Sequence, residues 1–182
     1  IHVIVDVVAN HLAGDHSNID DSLKDSQYWH HYSGSINYSN RYEITHGDIG
    51  MPDINSEHSY VQQKVHNYIN QLKSDGVDGI RWDAAKHISL PSESCNFWNA
   101  VIDDDLYNYG EILDTPVKDN TSLANSLMNE YTDYMSVTDS VYSGNVLDAF
   151  NKGNVPTSYA NWTTINGIDN DEVVYWAESH DT

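Results

Sequence analysis

The chain has 182 residues, of which 39% are hydrophobic and 20% are charged, the proportions of an ordinary globular protein. Its 28 acidic residues against eight Lys and Arg give a formal net charge of −20. Such a surface repels nucleic acid and anionic lipid, which are therefore excluded as partners, and it suits neutral ligands and calcium. No apolar run of about 18 residues is present to cross a membrane. A single cysteine, Cys95, excludes a disulfide framework and a cysteine-rich zinc site.

Strand and helix patterns alternate from the beginning of the chain. The β-branched run Val3–Val8 predicts a strand buried on both faces. The polar, irregular stretch from Asn10 to Asn55 is too long for an ordinary connection, so we interpret it as an inserted subdomain or a functional loop. Ser56 is expected to cap a helix that Gly76 ends.

The rest of the chain continues this alternation. Helices are predicted near Glu93–Ile102, Asn120–Asn129 and Val146–Asn151, and strands at Val77–Asp83, Asp105–Gly110, Tyr134–Val137 and Glu172–Ala177. Strands that alternate with helices indicate βαβ units and an α/β fold with a parallel sheet. Five strands are recognisable, whereas a closed (β/α)8 barrel needs eight strands and about 250 residues.

Ionisable residues stand where the predicted strands end. Arg81 and Asp83 share one face of their strand, and the arginine would keep the carboxylate ionised, as a nucleophile requires. A plain ion pair at a strand end would explain the same pattern. Glu111 follows the next strand beside Ile112 and Leu113, and these apolar neighbours favour a general acid. An exposed loop glutamate is the alternative.

Two further strand ends carry residues of the same kind. His180 and Asp181 follow the last predicted strand, and the first strand carries Asp6, which is expected to pair with the arginine of the neighbouring strand. Asn10 offers an oxygen of the type that calcium prefers, and His11 belongs either to the site or to the core. The carboxyl ends of barrel strands line active sites, so this coincidence predicts a hydrolytic centre.

These segments resemble the conserved regions of the α-amylase family, glycoside hydrolase family 13, in the family's order. The matching segments are Asp6-Val-Val-Ala-Asn-His11, Met51-Pro-Asp-Ile-Asn55, Gly79-Ile-Arg-Trp-Asp83, Tyr109-Gly-Glu111 and Glu178-Ser-His-Asp181. The likeness is closest to secreted bacterial α-amylases of bacilli and lactobacilli. It implies part of a (β/α)8 TIM barrel: strand 3 in residues 1–12, an inserted domain B in residues 13–56, and helix 3 through strand 7 in residues 57–182. Strands 1, 2 and 8 are then expected to be missing.

The resemblance also implies an activity, the retaining endo-hydrolysis of α-1,4-glucosidic bonds in starch-like polysaccharides. Asp83 would form a covalent glycosyl-enzyme, and Glu111 would act first as acid and then as base, about 5–5.5 Å away. Asp181 would stabilise the oxocarbenium-like transition state. The residues implied to contact the substrate are His11, Arg81, Lys86, His87 and His180.

A structural calcium ion is implied as well. The ligands would be the side chains of Asn10 and Asp53, the backbone carbonyl of His87 and, in addition, Thr45. Ligation by oxygen alone fits the chemistry of calcium. A zinc site built from His30, His31 or His46 is the competing hypothesis for a metal.

Starch, glycogen and malto-oligosaccharides are the implied substrates, and the implied protein is a secreted, extracellular monomer. Within the family, a transglycosylase or an oligosaccharide-specific α-glucosidase would use the same three carboxylates. A non-catalytic, carbohydrate-binding relative belongs to a different functional class. Such relatives lose catalytic carboxylates, and all three are present here.

Overall fold

A computed structural model of the chain describes residues 1–14, 18–32, 34–153, 167–176 and 179. At its centre lies a parallel sheet whose five strands follow one another in chain order. The strands are β1 (Ile4–Val8), β2 (Gly79–Asp83), β3 (Tyr107–Gly110), β4 (Ser136–Thr138) and β5 (Val173–Val174). All five predicted strands are confirmed, with shorter bounds than the sequence suggested.

Helices connect the strands. They are α1 (Arg41–His46), α2 (Ser59–Ser74), α3 (Phe97–Val101), α4 (Thr121–Thr132) and α5 (Ser140–Lys152). The sequence did not predict α1, which lies in the polar stretch between β1 and α2. No helix in the described parts of the chain is long and apolar enough to cross a membrane.

Two details of the helix prediction were wrong. The cap of α2 is His58, whose side chain accepts the Tyr60 N–H, and not Ser56. The expected helix at Glu93–Ile102 is interrupted, because Ser94 adopts a left-handed φ of 70° after a 3₁₀ turn, and α3 begins only after it.

The alternation of side chains along β2 separates the core from the site. Ile80 and Trp82 are fully buried, and the Trp82 ring packs edge-on against Trp98 of α3. Arg81 and Asp83 therefore point to the opposite face, as the spacing predicts. That face carries the ionisable groups.

β1 does not have the burial that its sequence suggested. Val7 is buried, but Ile4 and Val8 are 45% and 47% exposed. β1 is the edge strand of the five, and within the described residues nothing covers the face that carries Ile4 and Val8. The expectation of a strand buried on both faces is wrong for this chain.

The polar stretch shares a small apolar cluster with α2 and is tied to the sheet. The cluster comprises Ile19, Trp29, Ile54 and Val61. The tie to the sheet is the buried guanidinium of Arg41 in α1, which donates to the Lys86 carbonyl beyond β2 and to the Glu93 carboxylate. These charge-assisted bonds hold α1 over the carboxyl end of β2.

We expect Gly79→Ala to lower the free energy of unfolding by about 1–3 kcal/mol, because overpacking forces the backbone to shift. A Cβ at this position would lie 2.6 Å from the Tyr107 carbonyl oxygen of the adjacent strand. Urea denaturation measures the change. The matched control is Gly144→Ala in α5, where a Cβ meets nothing within 4 Å; it should raise stability by about 0.5–1 kcal/mol. Equal effects of the two substitutions would contradict the close contact between strands.

Candidate active site

One cation, Arg81, joins three carboxylates at the carboxyl end of the sheet. Its Nη1 lies 2.5 Å from Asp6 Oδ1 and 2.8 Å from Asp83 Oδ1, and its Nη2 lies 2.8 Å from Glu111 Oε1. The predicted pair of Asp6 and Arg81 is confirmed. Burial opposes the charge on Arg81, but the hydrogen bonds to these carboxylates outweigh it and raise its pKa.

Strand register produces this arrangement. Asp6 pairs with Arg81 across β1 and β2, and Val8 pairs with Asp83. The Glu111 N–H donates to the Trp82 carbonyl at 2.9 Å, which holds the residue after β3 beside the end of β2. Parallel strands in this register bring their carboxyl ends, and the side chains that follow, to one edge.

Asp83 and Glu111, the two central carboxylates, each have one oxygen that does not contact Arg81. Asp83 Oδ2 lies 3.9 Å from His11 Nε2, and Glu111 Oε2 accepts the Ala84 N–H at 3.2 Å. Ala84 has a left-handed φ of 49°, a conformation that costs a non-glycine residue about 1–2 kcal/mol. This strained turn directly after Asp83 points the Ala84 N–H at the Glu111 carboxylate.

The apolar surroundings expected for the Glu111 carboxylate are found only in part: Tyr109 and Leu113 line a cavity with it, but Ile112 does not. Ile112 is buried, but it turns away, and its N–H donates to Thr138 Oγ1 at 2.8 Å. The carboxylate itself meets a guanidinium and a backbone N–H. Sequence spacing alone could not show that Arg81 reaches across to the neighbouring strand end.

Glu111 lies between two cavities. The first, of about 370 Å³, is lined on the β1 and β2 side by His11, Tyr38, Met51, Asp83, Lys86 and His87. The second cavity, of about 250 Å³, lies on the side of β4 and β5. Its lining includes Arg81, Tyr109, Thr138, Trp176 and Ser179. A larger depression of about 540 Å³ contains neither central carboxylate, but it shares Thr138 with the second cavity. Together these cavities follow the carboxyl edge of the sheet.

The two histidines of the first cavity are neutral near pH 7. Burial lowers the pKa of His11, and it lowers the pKa of His87 to about 4. His87 Nδ1 donates to the Ile44 carbonyl at 2.8 Å, which fixes its ring. Asn10 Nδ2 lies 3.5 Å from His11 Nδ1, so the other ring nitrogen, Nε2, is left to donate towards Asp83.

Lys86 is a buried cation in the same cavity. Its ammonium group donates to the Leu113 carbonyl at 2.6 Å and lies 5.2 Å from the centre of the Tyr38 ring. Burial lowers the pKa of Lys86. The ammonium group links the loop after β2 to the loop after β3, which are the two loops that follow Asp83 and Glu111.

The chain is similar to known α-amylases. No protein-family model matches the chain. An α-amylase of Clostridium acetobutylicum is 34% identical over 199 aligned residues, which cover all of this chain and 25% of that protein. The resemblance to the α-amylase family is confirmed. The chain spans about a quarter of the length of that relative.

Solved structures give the same fold. α-Amylase I of Eisenia fetida matches 99% of the chain and 42% of its own length, with a TM-score of 0.76 and 22% identity. A cyclomaltodextrin glucanotransferase matches 84% of the chain and 35% of its own length, with a TM-score of 0.66 and 27% identity. The five parallel strands are thus a fragment of the α-amylase TIM barrel.

The residues that the α-amylase resemblance assigns to calcium form two buried pairs. Asn10 lies beside Asp53, since the Ile54 N–H donates to the Asn10 carbonyl at 2.9 Å, and the burial of Asp53 raises its pKa to about 6. Asp53 Oδ1 is buried and has no hydrogen-bond partner among the described residues. Thr45 is buried and directly follows Ile44, whose carbonyl accepts a hydrogen bond from the His87 ring. A carboxylate oxygen without a partner beside other oxygen donors fits a calcium ligand.

The histidines of the competing zinc hypothesis separate into two groups. His31 lies at the surface, where Nε2 donates to the Ser26 carbonyl at 2.8 Å. His30 and His46 lie together beside Glu57, a residue that the sequence analysis missed. Burial opposes a charge on His30, but hydrogen bonds to Asp53 and Glu57 raise its pKa to about 9.

Two predicted site residues, His180 and Asp181, lie outside the described residues and stay predictions. Other residues that line the cavities were missed. Thr138 ends β4, so the same rule of polar residues at strand ends could have found it. Tyr38 and Trp176 lie in irregular segments, where the sequence carries no signal beyond their aromatic rings.

Removing the central cation should destabilise the fold. We expect Arg81→Met to lower the free energy of unfolding by about 2–4 kcal/mol at pH 7, below the range for a fully buried group because Asp6 is half exposed. Urea denaturation at pH 7 measures this. The control, Lys24→Met, removes an exposed ion pair and should change stability by less than about 0.5 kcal/mol.

Proposed function

We propose that this chain carries the nucleophile and the acid/base of a retaining α-amylase, which hydrolyses α-1,4-glucosidic bonds within starch-like polysaccharides. The observation that carries the proposal is the contact of one guanidinium with both Asp83 and Glu111, at adjacent strand ends that face one cavity. The match to α-amylases along the whole chain supports the substrate class.

In the first step, Asp83 attacks the anomeric carbon. Oδ1 is held by Arg81, so Oδ2, the oxygen nearer His11, is the one available for attack. The bond from the anomeric carbon to the leaving sugar oxygen breaks, and Glu111 gives that oxygen its proton. Oε2 of Glu111 carries the proton, because Oε1 faces the guanidinium.

In the second step, Glu111 takes a proton from water while the water oxygen attacks the anomeric carbon. The ester bond to Asp83 breaks, and the two inversions together retain the configuration. Negative charge passes from Asp83 to Glu111 when the ester forms and returns when it breaks. Arg81 contacts both groups through different nitrogens, so it can stabilise the charge in either state.

Further groups would hold the sugar. His11, Lys86 and His87 line the cavity on the Asp83 side of Glu111, which supports their assignment to substrate binding together with Arg81. By resemblance, Asp181 would stabilise the oxocarbenium-like transition state and His180 would bind beside it. Residues 13–56 would form domain B, which bounds this side of the site.

Polymeric substrates are favoured by the three cavities that continue along the edge of the sheet. A chain of glucose units can occupy several of them at once, whereas a disaccharide fills only a part. Starch and glycogen are uncharged, so a net charge of −20 does not repel them. By resemblance to the secreted α-amylases, we propose an extracellular, monomeric enzyme.

Transglycosylation is the second candidate. The solved glucanotransferase that resembles this chain at 27% identity supports it. The same two carboxylates serve both reactions, which differ in whether water or a sugar hydroxyl attacks the glycosyl-enzyme. Product analysis with amylose distinguishes them, because hydrolysis creates a new reducing end at each cleavage and transfer does not.

We further propose that Asn10 and Asp53 side chains, with the carbonyls of His87 and Thr45, hold a structural calcium ion. The buried Asp53 oxygen without a partner supports this assignment. The ion would join the polar stretch to the loop after β2 and would stabilise the fold. These residues would hold the ion, and no step of the reaction involves it.

The catalytic assignment predicts different effects for the two carboxylates. In the complete protein, Asp83→Asn should abolish the hydrolysis of starch and of an aryl α-maltoside with a nitrophenolate leaving group. Glu111→Gln should slow starch hydrolysis by about 10²–10⁴-fold. It should slow the first-turnover burst of nitrophenolate much less, since that leaving group needs no proton, while later turnovers slow because the base for the second step is lost.

Circular dichroism and thermal melting check the folding of both variants. The matched control is Asp148→Asn, which changes an exposed carboxylate of α5 and should leave activity unchanged. Starch hydrolysis that survives Asp83→Asn in a folded protein would overturn the proposal.

Calcium added to the metal-stripped protein should raise its melting temperature. A ligand that binds only the folded state at about 100 times its Kd adds about 2.7 kcal/mol of stability. Asp53→Asn should remove most of this increase, whereas Asp75→Asn, at the exposed end of α2, should leave it intact. Magnesium should have a smaller effect, because it demands a near-ideal octahedral geometry with shorter ligand distances than calcium. An increase that Asp53→Asn does not change would exclude this ligand set.

A further inference from the structure

Three side chains from separate segments converge beside the group assigned to calcium. They are His30 from the loop before α1, His46 at the end of α1, and Glu57 just before α2. Each offers one ligand atom, and these atoms lie within 4.8 Å of one another. His30 Nε2 is 2.7 Å from Glu57 Oε2, and His46 Nε2 is 3.9 Å from Glu57 Oε1. Ligands of a tetrahedral zinc ion lie about 3.3 Å apart, so small movements suffice.

The outer hydrogen bonds orient both rings. His46 Nδ1 lies 3.1 Å from the Tyr42 carbonyl, and its ring stacks on Tyr42 at 4.0 Å. This directs the lone pair of Nε2 at Glu57. His30 Nδ1 lies 2.5 Å from Asp53 Oδ2, the carboxylate–histidine arrangement that supports metal-binding imidazoles.

The two carboxylate oxygens of Glu57 differ in their hydrogen bonding. Glu57 Oε1 is buried and has no hydrogen-bond partner within the described segments. An oxygen in this position loses hydration without compensation unless something binds it. The Glu57 side chain as a whole is 30% exposed, so an ion can reach it from solvent.

We propose that His30, His46 and Glu57 form a binding site for a divalent transition metal of the zinc class, separate from the calcium ligands and from the catalytic carboxylates. Two imidazoles and one carboxylate are a ligand set for zinc, whereas calcium requires oxygen ligands. The fourth position is open to water.

This metal would act on structure. It would connect the loop at His30, the end of α1 and the start of α2, which are otherwise linked by hydrogen bonds and the small apolar cluster. Asp53 touches His30 through one oxygen and leaves the other for the calcium group. The two metal sites would therefore share one carboxylate as a common support.

The test is a titration of Zn²⁺ into the complete, calcium-saturated protein, followed by calorimetry and by elemental analysis after dialysis. One zinc ion per chain is expected. His46→Gln and Glu57→Gln should each weaken its binding at least tenfold, about 1.4 kcal/mol. The matched control is His31→Gln, which removes the neighbouring surface histidine and should leave binding unchanged. Melting without added zinc verifies that each variant folds.

Substitution by Co²⁺ gives a second measurement. The wild-type protein should show the intense visible absorption of four-coordinate cobalt with nitrogen ligands, and His46→Gln should lose it. The site is absent if zinc does not bind stoichiometrically, if neither variant weakens binding, or if His31→Gln weakens it as much as His46→Gln. These measurements need no substrate, so the outcome is independent of the proposed amylase activity.

Discussion

The sharing of one guanidinium by three carboxylates is the constraint on which the rest of this structure depends. Asp6, Asp83 and Glu111 follow or lie on adjacent parallel strands, and without Arg81 between them their charges would repel at the most crowded edge of the sheet. The register of β1 against β2 sets these contacts. A slip of one residue would turn Arg81 into the core and Trp82 into the site. The site can therefore form only in this register.

The polar segment between β1 and α2 is bound to this edge through its own polar side chains. Arg41 holds α1 against the loop after β2, and Asp53 pairs with His30. Buried carboxylate oxygens without donors are costly, and the segment contains two of them, Asp53 Oδ1 and Glu57 Oε1. Cations from solvent, bound as calcium and as zinc, would supply what the chain's own donors lack.

Local patterns predicted more of the fold than of the site's contacts. Period and composition located all five strands, since short runs of β-branched and aromatic residues between turn residues depend on local preference. The alternation at Arg81 and Trp82 likewise assigned each residue to its face. Other features depend on tertiary contacts: the capping of α2 by His58, the exposure of β1 at the sheet edge, and the approach of Arg81 to Glu111. Glu57 was missed because its partners, His30 and His46, are distant in sequence and meet only when α1 packs beside them.

The distribution of the few basic residues connects surface charge with function. Of eight Lys and Arg, Arg41 and Lys86 are buried and Arg81 is half-buried, and all three lie around the end of β2. Three of the eight cations therefore pair with carboxylates or donate to loop carbonyls at this end of the sheet, and acidic residues outnumber basic ones over the rest of the chain. An anionic substrate would have to cross that surface field, whereas a neutral sugar polymer and a divalent cation would not be hindered. The acidic surface and the geometry of the site are thus both compatible with the neutral polysaccharide proposed as substrate.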